Sequence, residues 1–335
     1  LNTQAVIAAI PVGKAPRGVA IDRELNLAVI GNSHDNTVSI IDLNSYQLIT
    51  TIPVGKEPEG IAVNQLNHTA LVSNHKDGTV SVIDLTNNSV IRTISVGQEP
   101  KDIAIDPELN LALVANEKDY NISVIDLNTY QVTGIIPVGQ KPQAIAINSE
   151  THIAVVVNEK DNTITVINLN PPSPPFSKGG VGGFETSTIP VCKHPIDIAI
   201  NQLDNRALVT CDEDRALQLI DLNTPPPSPS PLEGEGWVGG KVVKTYSLNK
   251  LPKGIAVNNF TNIAAVADDK TDSLTLIQLP NPVPVITSIT PDKLLRGGKT
   301  AELIIEGSGF IKSSVVSLLH ATPYTLHAEF IDNHN

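Results

Sequence analysis

An all-β propeller built from four-stranded blades is the fold class that three features of the sequence predict. The first is a repeat: the stretch Ile52-Pro-Val-Gly-Lys-Glu-Pro58-Glu-Gly-Ile-Ala-Val63 recurs, and its second proline returns at Pro16, Pro58, Pro100 and Pro142, 42 residues apart each time. The second is that apolar residues alternate within each repeat instead of following a helical face. The third is composition, with 41% hydrophobic but only 3% aromatic residues and no methionine, so the interior is built from Val, Ile, Leu and Ala. These are mostly side chains that suit a pleated surface. Repeats of this length that read as four strands stack radially into a ring, and function is then sought on its loops.

Residues 58 to 99 show the elements in order. Gly60-Ile-Ala-Val63 is a short apolar strand and Asn64 to His68 a turn. Thr69-Ala-Leu-Val-Ser73 is the second strand and Asn74 to Gly78 the next turn. Thr79 to Leu85 alternates with period two, Thr86 to Asn88 turns, and Ser89 to Ile94 is the fourth strand. Equivalent second strands begin at Leu27, Leu111, Ile153, Ala207 and Ile263, giving six units.

Two polar columns accompany the strands. Asp22, Asn64, Asp106, Asn148, Asn201 and Asn258 close the first strand, and Asp42, Asp84, Asp126, Asn168, Asp221 and Gln278 close the third. Both columns are explained by side chains bonding nearby backbone amides in turns. Neither has the convergent oxygens of a calcium loop.

The period lengthens twice, by 11 residues between Pro142 and Pro195 and by 15 between Pro195 and Pro252. The added material, within 171–186 and 224–241, is rich in Pro and Gly and falls between third and fourth strands, at the outer rim. Proline cannot donate to a ladder, so loops are expected. Lengthening a turn fivefold costs only about 1.4 kcal/mol of closure entropy. The two insertions resemble each other more than any blade. They read as copies of a dispersed genomic element, with a proline-rich docking motif as the rival reading. Trp237 lies in one of them.

The Val-Gly-x-x-Pro opening, the Ala-Ile or Ala-Val strand, and Val-Ser-Val-Ile-Asp-Leu resemble the YVTN-type β-propeller repeats of bacterial and archaeal surface proteins over about residues 1–280. The eponymous string occurs in altered forms such as Leu71-Val-Ser-Asn74 and Leu113-Val-Ala-Asn116. Residues 281–284 read as a linker. Residues 285–335 are similar to an incomplete IPT/TIG immunoglobulin-like domain, through Ile286, Ile289, Pro291, Gly297, Gly298, Gly307, Gly309 and Phe310.

The register carries further expectations. The chain opens on Leu1 and holds no methionine, and Leu1-Asn2-Thr3 falls in the register of Leu43-Asn44-Ser45, so it reads as a fragment with at least one earlier blade. If the ring closes on these residues alone, Ala5 to Ile10 supplies the fourth strand that is missing after Leu279, giving six blades. In a longer parent a seventh blade is expected.

A net charge of −12 argues against nucleic acid, which needs clustered Lys and Arg. Apolar runs are strand-sized, so no membrane insertion is expected of the visible chain. Two cysteines depart from the repeat: Cys192 replaces the glycine of Gly13, Gly55, Gly97 and Gly139, and Cys211 the asparagine of Asn32, Asn74, Asn116 and Asn158. A left-handed glycine at that position would make a cysteine there costly. A disulfide, two free thiols, and a metal site with His194 all remain open. The histidines do not cluster: His34, His75 and His194 sit on one kind of loop, His68 and His152 on the opposite face. No catalytic constellation, metal set or cofactor motif is expected.

Immediately after each strand-opening proline the side chain varies: Arg17, Glu59, Lys101, Gln143, Ile196, Lys253. Variable tips on a uniform frame suit a binding face, and solvated surface positions are the plainer reading. The function expected is a non-enzymatic scaffold of a secreted or cell-surface bacterial protein that binds protein or carbohydrate partners. A propeller enzyme of lactonase, lyase or oxidoreductase type, with its site at the channel mouth, is the alternative.

Overall fold

The computed structural model describes residues 7–170, 184–223, 240–248, 251–259, 261–268, 273–280, 285–290 and 304–308, and every regular element among them is a β-strand. Blade 1 comprises β1 (Pro16–Asp22), β2 (Leu27–Asn32), β3 (Thr37–Asp42) and β4 (Gln47–Pro53). Blade 2 comprises β5 (Pro58–Asn64), β6 (Thr69–Asn74), β7 (Thr79–Asp84) and β8 (Ser89–Ser95), and blade 3 β9 (Pro100–Asp106), β10 (Leu111–Asn116), β11 (Asn121–Asp126) and β12 (Gln131–Pro137). Blade 4 comprises β13 (Pro142–Asn148), β14 (Ile153–Asn158), β15 (Thr163–Asn168) and β16 (Glu185–Pro190). Blade 5 comprises β17 (Pro195–Asn201), β18 (Arg206–Cys211), β19 (Ala216–Asp221) and β20 (Lys241–Ser247), and blade 6 β21 (Pro252–Asn258), β22 (Ile263–Asp268) and β23 (Ser273–Gln278). Each is an antiparallel meander, and together they form the predicted six-blade propeller.

Most hairpins close on a residue in the left-handed region, for example Asn26 (φ 53°), Asn36 (φ 56°), Asn110 (φ 54°) and Asn205 (φ 51°). Asparagine tolerates that region better than other residues with a Cβ, which is why it recurs just before so many strands. Both polar columns cap turns as expected, except at Gln278, whose Nε2 donates to the Thr261 and Asn262 carbonyls. Asp22 Oδ1 accepts from the Glu24 and Leu25 amides, and Asp42 Oδ1 accepts from the Asn44 amide. The amide bonds received by Asp42 and Asp126, and the Thr86 hydroxyl bond received by Asp84, hold these carboxyls below their ordinary range.

The core is not one mass but five wedges, each between neighbouring blades. Val29, Val38 and Ile40 of blade 1 meet Ile61, Val72 and Ile83 of blade 2. Val80 and Val82 of blade 2 meet Ile103, Val114 and Ile125 of blade 3, and the pattern repeats through blades 4, 5 and 6. One sheet face therefore serves the preceding blade and the other the following one.

The sixth junction differs. Inner strands touch in series, β1 to β5, β9, β13, β17 and β21, with no comparable packing of β21 on β1. Val19 on β1 is 64% exposed, and Leu274 and Leu276 on β23 are 60% and 64% exposed, whereas Ile61, Ile103, Val80 and Val82 at matching positions are buried. Of the segment Ala5 to Ile10 that the sequence offers as the fourth strand of blade 6, Ala5 and Val6 lie outside the described residues. Residues 7–10 carry no strand, Ile7 is exposed, and β23 ends its sheet among the described residues.

Both Pro/Gly-rich insertions connect third to fourth strands, as read from the sequence. Their residues 171–183 and 224–239, with Trp237, lie outside the described residues. β15 and β16 nonetheless stay in full register from Thr163↔Pro190 to Asn168↔Glu185. β24 (Val285–Thr290) pairs antiparallel with β25 (Ile304–Ser308), which places Ile286 and Ile289 on one strand and Gly307 on the other. Pro291, Gly297, Gly298, Gly309, Phe310 and the linker 281–284 lie outside the described residues.

Candidate binding face

Every inner strand begins with a proline followed by a bulge. The pairing of β1 with β2 shifts between Pro16 and Val19, that of β5 with β6 between Pro58 and Ile61, and the same shift follows Pro142, Pro195 and Pro252. A bulge bends the strand and re-aims its side chains. The varying column Arg17, Glu59, Lys101, Gln143, Ile196 and Lys253 sits in these bulges.

In blades 1 and 3 the loop before the bulge is held by a clasp. The Gly13 amide donates to Asn32 Oδ1 at 3.0 Å, and Asn32 Nδ2 donates to Thr37 Oγ1 and Ser39 Oγ. A Cβ on Gly13, Gly55, Gly97 or Gly139 would stand 2.5–2.8 Å from atoms of Asn32, Asn74, Asn116 or Asn158. The glycine is therefore required by close approach and not by a left-handed backbone. The left-handed residue is the one before the proline: Ala15 (φ 51°), Glu57 (φ 51°), Glu99 (φ 53°), Lys141 (φ 60°) and His194 (φ 55°). Gly97→Ala is expected to cost ~1–3 kcal/mol through overpacking, read as a lower denaturation midpoint in urea.

In blade 5 the clasp is rebuilt. Cys192 and Cys211 are bonded to each other across a Cα–Cα distance of 5.9 Å, and both are buried. With the asparagine gone, its acceptor role passes to Gln218, whose Oε1 accepts from the Cys192 amide at 3.0 Å. Gln218 occupies the position of Ser39 and Ser81, so the two cysteines and the glutamine form one concerted exchange.

The varying column is tied into two chains of alternating charge that pass from blade to blade. Glu59 pairs with Arg17 at 3.7 Å and with Lys101 at 2.7 Å, and Lys101 lies 3.9 Å from Glu117. On the other side of the face Lys141 pairs with Glu159, His194 reaches Glu159 through Nε2 at 2.7 Å and Asp212 through Nδ1 at 2.6 Å, and Lys253 lies 3.5 Å from Asp212. Gln143 and Ile196 are half-buried between these chains, while Arg17 and Lys253 are exposed. His34 borders a shallow recess with Lys56, Glu57 and Lys76. Among the described residues no group of His, Cys, Asp or Glu is arranged to hold a metal ion.

Two features of the inner strands escaped the sequence reading. Asp102 and Asp197 occupy the second bulge position, where blades 1, 2 and 6 have Gly18, Gly60 and Gly254. Each bridges to the next blade: Asp102 Oδ2 accepts from the Ile145 amide at 3.0 Å and Asp197 Oδ2 from the Ile255 amide at 2.9 Å. Burial pushes Asp102 up to about 7, assisted by the charge of Asp197, and pushes Asp197 up to about 6, against the lowering effect of their amide bonds. On the opposite face, His68 and His152 are not isolated. Their Nδ1 atoms lie 2.8 Å from buried Asp22 and Asp106 of the preceding blade, where the later junctions use Asn148–Asn205 and Asn201–Asn262. The matched exchange of Asp–His for Asn–Asn was visible in the sequence only to a reader who paired positions 46 residues apart.

No family model matches the chain, and no curated protein matches it. Among solved structures it is similar to a functionally unknown protein from Desulfotomaculum acetoxidans DSM 771, with a TM-score of 0.64 and 14% identity over 80% of this chain and 84% of that one. It is also similar to Kuenenia stuttgartiensis hydrazine synthase, with a TM-score of 0.47 and 15% identity over 83% of this chain and 99% of that one. At 14% identity the likeness to the Desulfotomaculum acetoxidans protein is one of fold.

Proposed function

We propose that the protein is a non-enzymatic propeller scaffold of a secreted or cell-surface bacterial protein, binding a protein or carbohydrate partner through the face that carries Arg17, Glu59, Lys101, Gln143 and Lys253. The observation that carries this reading is the bulge after each strand-opening proline, which presents a side chain that varies around the ring, with lysine in blades 3 and 6, on a repeated backbone. The Cys192–Cys211 bond supports an oxidising compartment. The resemblance to YVTN-type repeats, and that of residues 285–335 to an IPT/TIG module, support surface display. A second reading, a propeller enzyme with its site at the channel mouth, draws on Asp102 and Asp197, whose carboxyls titrate near neutrality as a general acid or base would.

A panel of immobilised glycans and bacterial or host surface proteins, probed with the purified chain, tests the first reading. Capture is expected to weaken about tenfold or more in Arg17→Ala and in Lys253→Ala, both exposed positions, with the captured molecule recovered chemically unchanged. Equal capture by both variants would remove the face from consideration. Turnover that Asp102→Asn abolishes would favour the enzyme.

A further inference from the structure

We propose that the recess between blades 1 and 2 binds a uronate, an acidic monosaccharide unit, with its carboxylate on Lys56 and Lys76 and its hydroxyls on Glu57 and Asn36. The recess measures about 260 Å³ and is lined by Ser33, His34, Asn36, Lys56, Glu57 and Lys76. One departure from the repeat opens it. The residue that follows the second strand is His75, Glu117, Glu159 and Asp212 in blades 2 to 5, and the last three of these reach lysine or histidine side chains. Blade 1 has Ser33 there, whose short, buried side chain leaves the space unfilled.

The lining supplies both kinds of group that such a unit requires. Of its two ammonium groups, only that of Lys76 has a carboxylate partner among the described residues, Glu57 at 4.0 Å. Lys56 is exposed, and its ammonium is left for an anion from outside. The backbone beneath both lysines is fixed in advance: the Lys56 amide donates to Asp77 Oδ2 at 2.8 Å, and the Lys76 amide to the Lys56 carbonyl at 3.2 Å. Asn36 Oδ1 accepts from the Glu57 amide at 2.9 Å, which leaves Asn36 Nδ2 as a donor, while the Glu57 carboxylate offers acceptors to hydroxyls. The volume lies just below the ~300–1,000 Å³ of sites for drug-sized molecules, so one sugar ring is the scale of occupant. No Phe, Tyr or Trp lines the recess, so charge-assisted hydrogen bonds and not stacking carry recognition. A simple anion would leave Glu57 unused, and a neutral sugar would leave Lys56 unpaired. A uronate engages both.

Titration of the isotope-labelled full chain with sodium glucuronate, followed by amide chemical shifts in NMR, tests this. Saturable shifts are expected at Asn36, Lys56, Glu57 and Lys76. Glucose, which lacks the carboxylate, and acetate, which lacks the hydroxyls, are each expected to bind at least about tenfold more weakly. Lys56→Gln is expected to weaken glucuronate about tenfold, and its exposed position keeps the fold intact. Ser33→His, which places in blade 1 the residue that blade 2 carries, is expected to fill the recess and abolish binding. No saturable shift at tens of millimolar glucuronate overturns the proposal. So does acetate binding as tightly as glucuronate, or affinity that Lys56→Gln leaves unchanged. Neither Arg17 nor Lys253 lines the recess, so this result is read separately from the capture experiment that tests the wider face.

Discussion

Asp102→Asn is expected to raise the thermal midpoint at pH 8 and to leave it nearly unchanged at pH 4. The carboxyl titrates at about 7 in the folded protein against 3.8 for an unperturbed side chain, so between these values the native state binds the proton and the unfolded state does not. Stability then falls as pH rises through this window, and the penalty is complete above pH 7. A displacement of this size corresponds to up to about 4 kcal/mol. Asparagine keeps one acceptor for the Ile103 and Ile145 amides that Asp102 now serves with two oxygens, and the lost bond returns part of the gain. Asp197→Asn is expected to act in the same direction over a narrower window, from 3.8 to about 6. Melting curves at closely spaced pH values between 4 and 8 read the result, and a wild-type profile that is flat across that range would remove the cause assigned here. Below pH 4 the opposite dependence takes over. Asp42, Asp84 and Asp126 have depressed folded values, and what they contribute is lost as they protonate.

The second large effect concerns the rebuilt clasp. Cys192→Ser/Cys211→Ser is expected to cost about 3 kcal/mol, the closure entropy of a loop of roughly 20 residues. Serine restores neither the asparagine that spans this loop in blades 1 to 4 nor the glycine that makes room for it. Cys192→Gly/Cys211→Asn, with Gln218→Ser, rewrites blade 5 in the idiom of its neighbours and is expected to recover most of that loss. Comparing the midpoints of the two variants under non-reducing conditions distinguishes a cross-link that matters in itself from one local solution among two. If the rewritten blade is no more stable than the serine pair, the clasp is not the equivalent of the disulfide.

What was legible in the sequence follows from how far apart the interacting residues lie. The strands, their turns, the blade count and the place of the insertions rest on contacts within one repeat, and a 42-residue period displays them directly. The glycine column was legible as a column but not for its reason, because the atom it must avoid belongs to an asparagine 19 residues later. Asp102 and Asp197 were hidden among varying surface residues, since they become distinctive only when the Ile145 and Ile255 amides of the next blade arrive beside them. That residues 7–10 carry no strand was invisible for another reason: a register states which segment could fill an edge, not whether its backbone forms a strand there.

The connection from third to fourth strand separates length from shape. β15 and β16 pair without a shifted residue although 16 residues lie between Asn168 and Glu185, where blade 2 makes the same connection with four. The insertion leaves both strands paired, and the only trace it leaves on the ladder is the loss of the one-residue shift that blades 1, 2, 3 and 5 show there. The rim of each blade is thus a ready port for a fluorophore, an epitope or an affinity handle, available at several azimuths around one frame. Labels placed there would report on the face and the axis without touching either.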